Sequence, residues 1–171
     1  MMAEAGAEHP GDADPGDGGP AWPPVGLQLN QAAREIGRAF DAELARAGGS
    51  LPAWLVLLAM KTSAAASQRE LAVAVGIREA TLTHHLNAME RAGLLTRRRD
   101  PANRRVHIVE LTAAGEETFG RLRATAIEFD GRLRRGLTDE QIGVFGGLLR
   151  RLAENAGVEP PGAPPWTGLD P

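Results

Sequence analysis

The chain contains no cysteine. That absence excludes disulfides, thiolate metal sites and cysteine redox sensing together. It also lacks any apolar run long enough for a bilayer: the longest, Leu51 to Met60, is interrupted by Pro52. The first 25 residues hold five acids (Glu4, Glu8, Asp12, Asp14, Asp17) and no lysine or arginine, the opposite of a secretory leader. There is no nucleophile–base motif, no phosphate-binding glycine loop and no convincing carboxylate pair. The expectation is a soluble, cytoplasmic protein that is not an enzyme, carries no cofactor and does not engage a membrane.

A chain of 171 residues supplies one ordinary domain plus tails. Residues 1–25 are rich in Gly, Pro, Ala and Asp, and residues 158–171 include Pro160, Pro161, Pro164, Pro165 and Pro171. Neither stretch has a helix or strand period or enough apolar surface to offset chain entropy, so both are expected to be disordered. Trp22 and Trp166 read as incidental aromatics within them.

Residues 26–157 carry a helical signal. Leu29, Ala33, Ile36, Phe40, Leu44 and Ala47 step by three and four, the mark of one apolar stripe. Gly48-Gly49 ends that helix and Pro52 suits the first turn of the next. Ser67 and Glu70 form a capping box that opens a short helix stopped at Gly76. A further helix is expected from about Glu79 to Ala92, with Leu82, Leu86 and Met89 inward and Gly93 as its stop. Arg78 is a poor N-cap because it offers no acceptor. After a hairpin, Phe119, Leu122, Ala126, Phe129 and Leu133 mark one long helix. Ile142, Phe145, Leu149, Leu152 and Ala156 mark another, opened by the capping box Thr138–Gln141. Three long stripes exceed what one small domain can cover, which points to a homodimer.

Net charge is −3, yet Arg91 to Arg105 holds six arginines against Asp100 alone. Because charges are screened within about 10 Å at ordinary salt, this local patch outweighs the total. Beside it, the helix from Glu79 turns Thr81, His84, Asn87, Ala88 and Arg91 away from its apolar side, with Thr83 at the boundary. Asn makes bidentate contacts to adenine, Thr offers a hydroxyl and a methyl, and His hydrogen-bonds a base edge or phosphate. Small Ala80 and Ala88 permit close approach to a groove. The hairpin carries Arg97, Arg98 and Arg99 on one strand and Arg104 and Arg105 at its tip, around the turn Asp100-Pro101-Ala102-Asn103. Arginines there suit phosphates or a narrow minor groove. An ordinary solvated face explains Thr and Asn, but not why it lies beside six arginines. These are the parts of a reader of double-stranded DNA.

His84 and His85 do not make a metal site. Adjacent helical side chains point about 100° apart, and no HExxH pattern exists. His85 reads as a packing residue next to Leu82 and Met89.

The segments LPAWLVLLAMK, QRELAVAVGI, ATLTHHLNAMERAGLL and RRRDPANRRVHIVELTAAGEE together resemble the MarR family of winged-helix regulators, over about Leu27 to Ala156. The resemblance implies a mainly α fold with a small β-hairpin wing, a winged helix-turn-helix at 51–111 and dimerisation helices at 27–47 and 112–156. It implies an obligate homodimer, a repressor reading a pseudo-palindromic operator, and release by a small aromatic or lipophilic effector. With aromatics scarce, Phe40, Trp54 and Phe119 mark the expected effector pocket. Two positions differ from the family pattern: Asn103 stands where Asp commonly precedes the paired arginines, and Arg78 where the recognition helix commonly starts at Ser or Thr. The competing readings are an ArsR-like winged-helix repressor, disfavoured by the missing thiolates and the long helices after the wing, and a ligand- or protein-interaction module that does not bind DNA. The latter would not need five arginines around one hairpin.

Overall fold

The computed structural model describes residues 23–62, 67–99 and 107–158; residues 1–22 and 159–171 of the two tails and the hairpin residues Asp100 to Asn103 lie outside them, while Val25, placed in the first tail by the sequence, opens a helix. Among the described residues six helices and two strands follow in order: α1 (Val25–Arg46), α2 (Leu51–Thr62), α3 (Gln68–Val75), α4 (Glu79–Arg91), β1 (Leu95–Arg99), β2 (His107–Leu111), α5 (Ala113–Leu133) and α6 (Asp139–Asn155). The chain divides into two compact units, residues 1–36 and 37–171, with the division inside α1. In the first unit, the amides of Leu27 and Gln28 donate to the Pro24 carbonyl at 2.9 and 3.1 Å and open α1. Val25, Leu27, Leu29 and Ile36 on it are exposed.

The second unit is built around α2. The Asp41 carboxylate accepts from the Leu51 amide at 2.7 Å and the Ser50 hydroxyl from the Ala53 amide at 3.3 Å, which satisfies the orphan donors of its first turn. Trp54, Val56, Leu57, Leu58 and Ala59 are buried and point to all sides, the pattern of a helix enclosed by its neighbours. Helices α3, α4 and α5 pack on it. Leu71 and Ala72 from α3, Leu82, Leu86 and Met89 from α4, and Phe119 and Leu122 from α5 complete the core with Leu44, Leu95 and Val109. Each fully buried leucine contributes about 1.5–3 kcal/mol through the area it removes from water.

The strands pair antiparallel, from Leu95 opposite Leu111 to Arg99 opposite His107, and Ser67 forms an isolated bridge to Ile108. The hairpin is thereby fastened to the start of α3. Its base meets α5 very closely. The Thr112 amide donates to the Leu94 carbonyl at 3.1 Å, its hydroxyl donates to the Gly93 carbonyl at 2.6 Å, and the same hydroxyl accepts from the Gly115 amide. A Cβ on Gly115 would lie 2.0 Å from the Leu94 carbonyl oxygen, so only glycine fits.

Gly115→Ala is therefore expected to destabilise the protein by about 1–3 kcal/mol, because backbone must move to admit one methyl. Gly120→Ala, where a Cβ meets nothing within 4 Å, should be neutral or stabilise by up to about 1 kcal/mol through helix propensity. Urea unfolding of both variants at one protein concentration checks the contrast.

Candidate nucleic-acid interface

The local chemistry that sets α3 against α4 is regular. Ser67 Oγ accepts from the Glu70 amide at 3.3 Å and Glu70 Oε2 from the Ser67 amide at 3.0 Å, the reciprocal capping box that the sequence predicts. Gly76 takes the left-handed conformation at φ 74°, and the Ile77 amide reaches back to the Ala72 carbonyl at 3.0 Å, which closes α3. Arg78 precedes α4 in extended conformation without a side-chain cap, as its lack of an acceptor requires.

Helix α4 then buries Leu82, Leu86 and Met89 and leaves Ala80, Thr81, His84, Asn87, Ala88 and Arg91 exposed along the other side. His85 is half-buried and packs its ring edge-on against His84 at 5.9 Å between centroids. Thr83 has a different job from its neighbours. Its hydroxyl accepts from Gln68 Nε2 and donates to the Glu79 carbonyl at 2.8 Å, so it ties α4 to α3.

Strand alternation sorts the wing arginines. Arg97 shares the face of Leu95, which is buried, and lies opposite the buried Val109. Its side chain is only 18% exposed and turns onto α4. There Nε donates to Glu90 Oε2 at 3.0 Å, while Nη2 donates to both Glu90 Oε2 and Asn87 Oδ1. Arg98 points the other way, where Nη2 pairs with Glu110 Oε1 at 2.7 Å and Nε with Oε2 at 3.2 Å. Arg99 is exposed at the outer end of β1. Arg104 and Arg105 lie outside the described residues. Glu90 is the residue that sequence reasoning missed. The signal for it was the spacing Asn87-x-x-Glu90, one helical turn, facing an arginine two positions beyond an inward leucine.

Residues 50–107 match the model of the MarR family. A putative transcriptional regulatory protein for the hcr operon of Thauera aromatica is 30% identical over 86 residues, half of this chain and 52% of that protein, so the match spans about half of that relative's length. Among solved structures, the transcriptional repressor CouR bound to a 23-mer DNA duplex superposes with a TM-score of 0.69 at 28% identity, covering 75% of this chain and 92% of CouR. The PcaV regulator of Streptomyces coelicolor, solved in complex with its natural ligand, superposes at 0.62 with 26% identity, covering 77% and 91%. Over those residues the chain is similar to the MarR family.

The aromatic side chains marked in the sequence belong to one core, Trp54 and Phe119 within it and Phe40 packed against it, but their rings stack in two separate pairs. Trp54 and Phe119 stack on each other at 5.8 Å and are buried, with Lys61 Nζ 5.7 Å from the Phe119 ring. Phe40 instead stacks on Phe129 at 5.0 Å, and Arg132 lies over Phe129. The reason is the pitch of α5: Phe119 and Phe129 are nearly three turns apart, so each collects a different ring. A shallow open groove lies on α6, lined by Val144, Gly147, Leu148, Arg150, Arg151 and Glu154. Among the described residues no helix is long and apolar enough to cross a membrane.

Three carboxylates are held below their ordinary value of 4.5 by arginines: Glu90 by hydrogen bonds from Arg97, Glu110 by Arg98, and Glu43 by Arg132 and Arg46. A carboxylate whose folded pKa lies below its unfolded one adds stability above pH 4.5, and this is lost as the pH falls through the folded value. Melting temperature should therefore fall below about pH 4.5. In Glu90→Gln that fall should be shallower, and thermal scans from pH 7 to 3 would show whether it is.

Proposed function

We propose that this chain is a homodimeric, sequence-specific transcriptional regulator that binds double-stranded DNA and acts as a repressor at a pseudo-palindromic operator. The observation that carries the reading is the exposed side of α4. Every large apolar side chain of that helix is turned inward, and Thr81, His84, Asn87 and the small Ala80 are left outward beside a basic hairpin. A helix about 20 Å long with such a face fits the major groove, where donors and acceptors distinguish all four base pairs. The DNA-bound state of its structural relative CouR supports the same use of the fold.

In this reading the site residues divide by role. Thr81, His84 and Asn87 face bases, Ala80 allows the approach, and Thr83 fixes the helix. Arg98, Arg99, Arg104 and Arg105 serve phosphates or the minor groove, and Arg97 joins wing to helix. Dimerisation is supported by α6, which buries none of its residues and exposes Val144, Phe145 and Leu148 together with Leu133 and Leu137 before it. A contiguous apolar surface of this kind marks an interface, and a second copy supplies its match. The effector reading, a small aromatic or lipophilic molecule near Phe40, Trp54 and Phe119, draws support from the ligand complex of the relative PcaV. As a regulator of DNA the protein works in the cytoplasm.

Light scattering at micromolar concentration should give twice the mass of one chain; a monomer that still binds palindromic DNA tightly would sink the dimer. On DNA, wing and helix should behave differently. Arg99→Ala and Arg104→Ala should each weaken binding to all sequences and reduce the slope of log affinity against log salt by about 1. His84→Ala should instead lose about 1–3 kcal/mol of discrimination at one base pair in each half-site. Titrations at several salt concentrations, on a selected duplex, its single-base variants and random DNA, separate the two. Equal losses for His84→Ala on every sequence would make it a phosphate contact.

A further inference from the structure

Asn87 is the side chain on α4 best suited to read a base, and it is already in use. Its Oδ1 accepts from Arg97 Nη2. Guanidinium offers only donors, so the atom facing it must be the amide oxygen, which leaves Nδ2 as the end of the amide turned away from Arg97. Arg97 itself is seated firmly. Nε and Nη2 both donate to Glu90, one turn along the same helix, and its strand neighbour Leu95 is 1% exposed. Turning the Asn87 amide over would replace a charge-assisted hydrogen bond with two donors facing each other.

We propose that Arg97 is a specificity-determining positioning residue: by holding Asn87 Oδ1 it makes Asn87 a donor toward the base edge, so that this position selects guanine or thymine instead of adenine. The chemistry follows from the groove pattern. Bidentate recognition of adenine needs the amide oxygen for the N6 amino group as well as Nδ2 for N7. With one of its two lone pairs taken and the oxygen turned toward Arg97, Nδ2 meets acceptors without conflict at guanine N7 and O6 or thymine O4, while the amino group of adenine or cytosine competes with Arg97 for that oxygen. The proposal rests on the DNA-binding reading above, and it assigns to Arg97 a part in base choice that a phosphate contact would not have.

The test is selection from a random duplex pool with the full chain, followed by affinity measurement on single-base variants. For the unaltered protein, one position per half-site should prefer guanine or thymine, and Asn87→Ala should lose the preference there and nowhere else. Arg97→Met, which keeps the aliphatic stem, frees the amide and should move that same position to adenine, changing the ratio of affinities by about five- to a hundredfold. Asn87→Asp guards against a misfolded Arg97→Met. Its carboxylate still accepts from Arg97 but offers the base only acceptors, and the position should move to cytosine or adenine. An Asn87-dependent position that already prefers adenine, or one that keeps its preference in a folded Arg97→Met, overturns the proposal alone. So does an Asn87→Ala variant that loses no position. If the unaltered chain enriches no sequence at all, the DNA-binding reading falls and takes this one with it.

Discussion

Helix α2 cannot be left facing water on any side. Trp54, Val56, Leu57, Leu58 and Ala59 project around the whole helix and all are buried, so three other helices must surround it. Each neighbour then has one face committed. On α4 the committed face is Leu82, Leu86 and Met89, and the geometry of a 3.6-residue turn leaves Thr81, His84 and Asn87 outward without further design. The polar outward face of α4 is thus a consequence of how the core is filled. Substitutions on it are cheap for stability, whereas those behind it are not.

The wing is governed by a second constraint, the two-residue alternation of β1. Alternation puts Arg97 and Arg99 on the face of Leu95 and Arg98 on the other; Arg99 is exposed at the end of the strand, and Arg97 is the one turned inward. An inward arginine carries a charge out of bulk water and needs partners. Glu90 supplies the charge and Asn87 the remaining acceptor, both from α4. The pair is part-exposed, so its value lies less in stability than in holding the hairpin at a fixed angle to the helix. Arg98, on the outer face, has Glu110 across the strand pair as a partner that remains wet and exchangeable.

Much of this arrangement is legible in the sequence because it depends on local chemistry. Both capping boxes, the glycine stops at Gly76 and Gly93, the uncapped Arg78 and the inward trio on α4 follow from residue type and spacing alone. What escapes is decided by contact between distant elements. Treating Arg97, Arg98 and Arg99 as one basic strip ignores strand parity, and parity matters only once β1 is seated on α4. Thr83 sits at the boundary of the helical face, where an extra hydrogen bond from Gln68, fifteen residues earlier, decides its role. The stripe on α5 also divides: Phe119, Leu122 and Phe129 are buried within the chain, while Leu133 is left exposed. The period of a stripe reports that it needs covering and not by what.

Helix α5 is where these constraints meet. Its first turn is fixed to the end of α4 through Thr112, whose amide and hydroxyl bond the carbonyls of Leu94 and Gly93, and Gly115 leaves no slack between the backbones. Its middle closes the core through Phe119 and Leu122, and Arg132 near its end pairs with Glu43 of α1 at 2.6 Å. A displacement of α5 along its axis would strain the Leu94 contact before it loosened the core, because a backbone contact with no spare space yields less than leucine side chains do. The exposed Leu133, followed by Leu137, therefore lies at the far end of a helix whose first turn is bonded to the residues that follow α4.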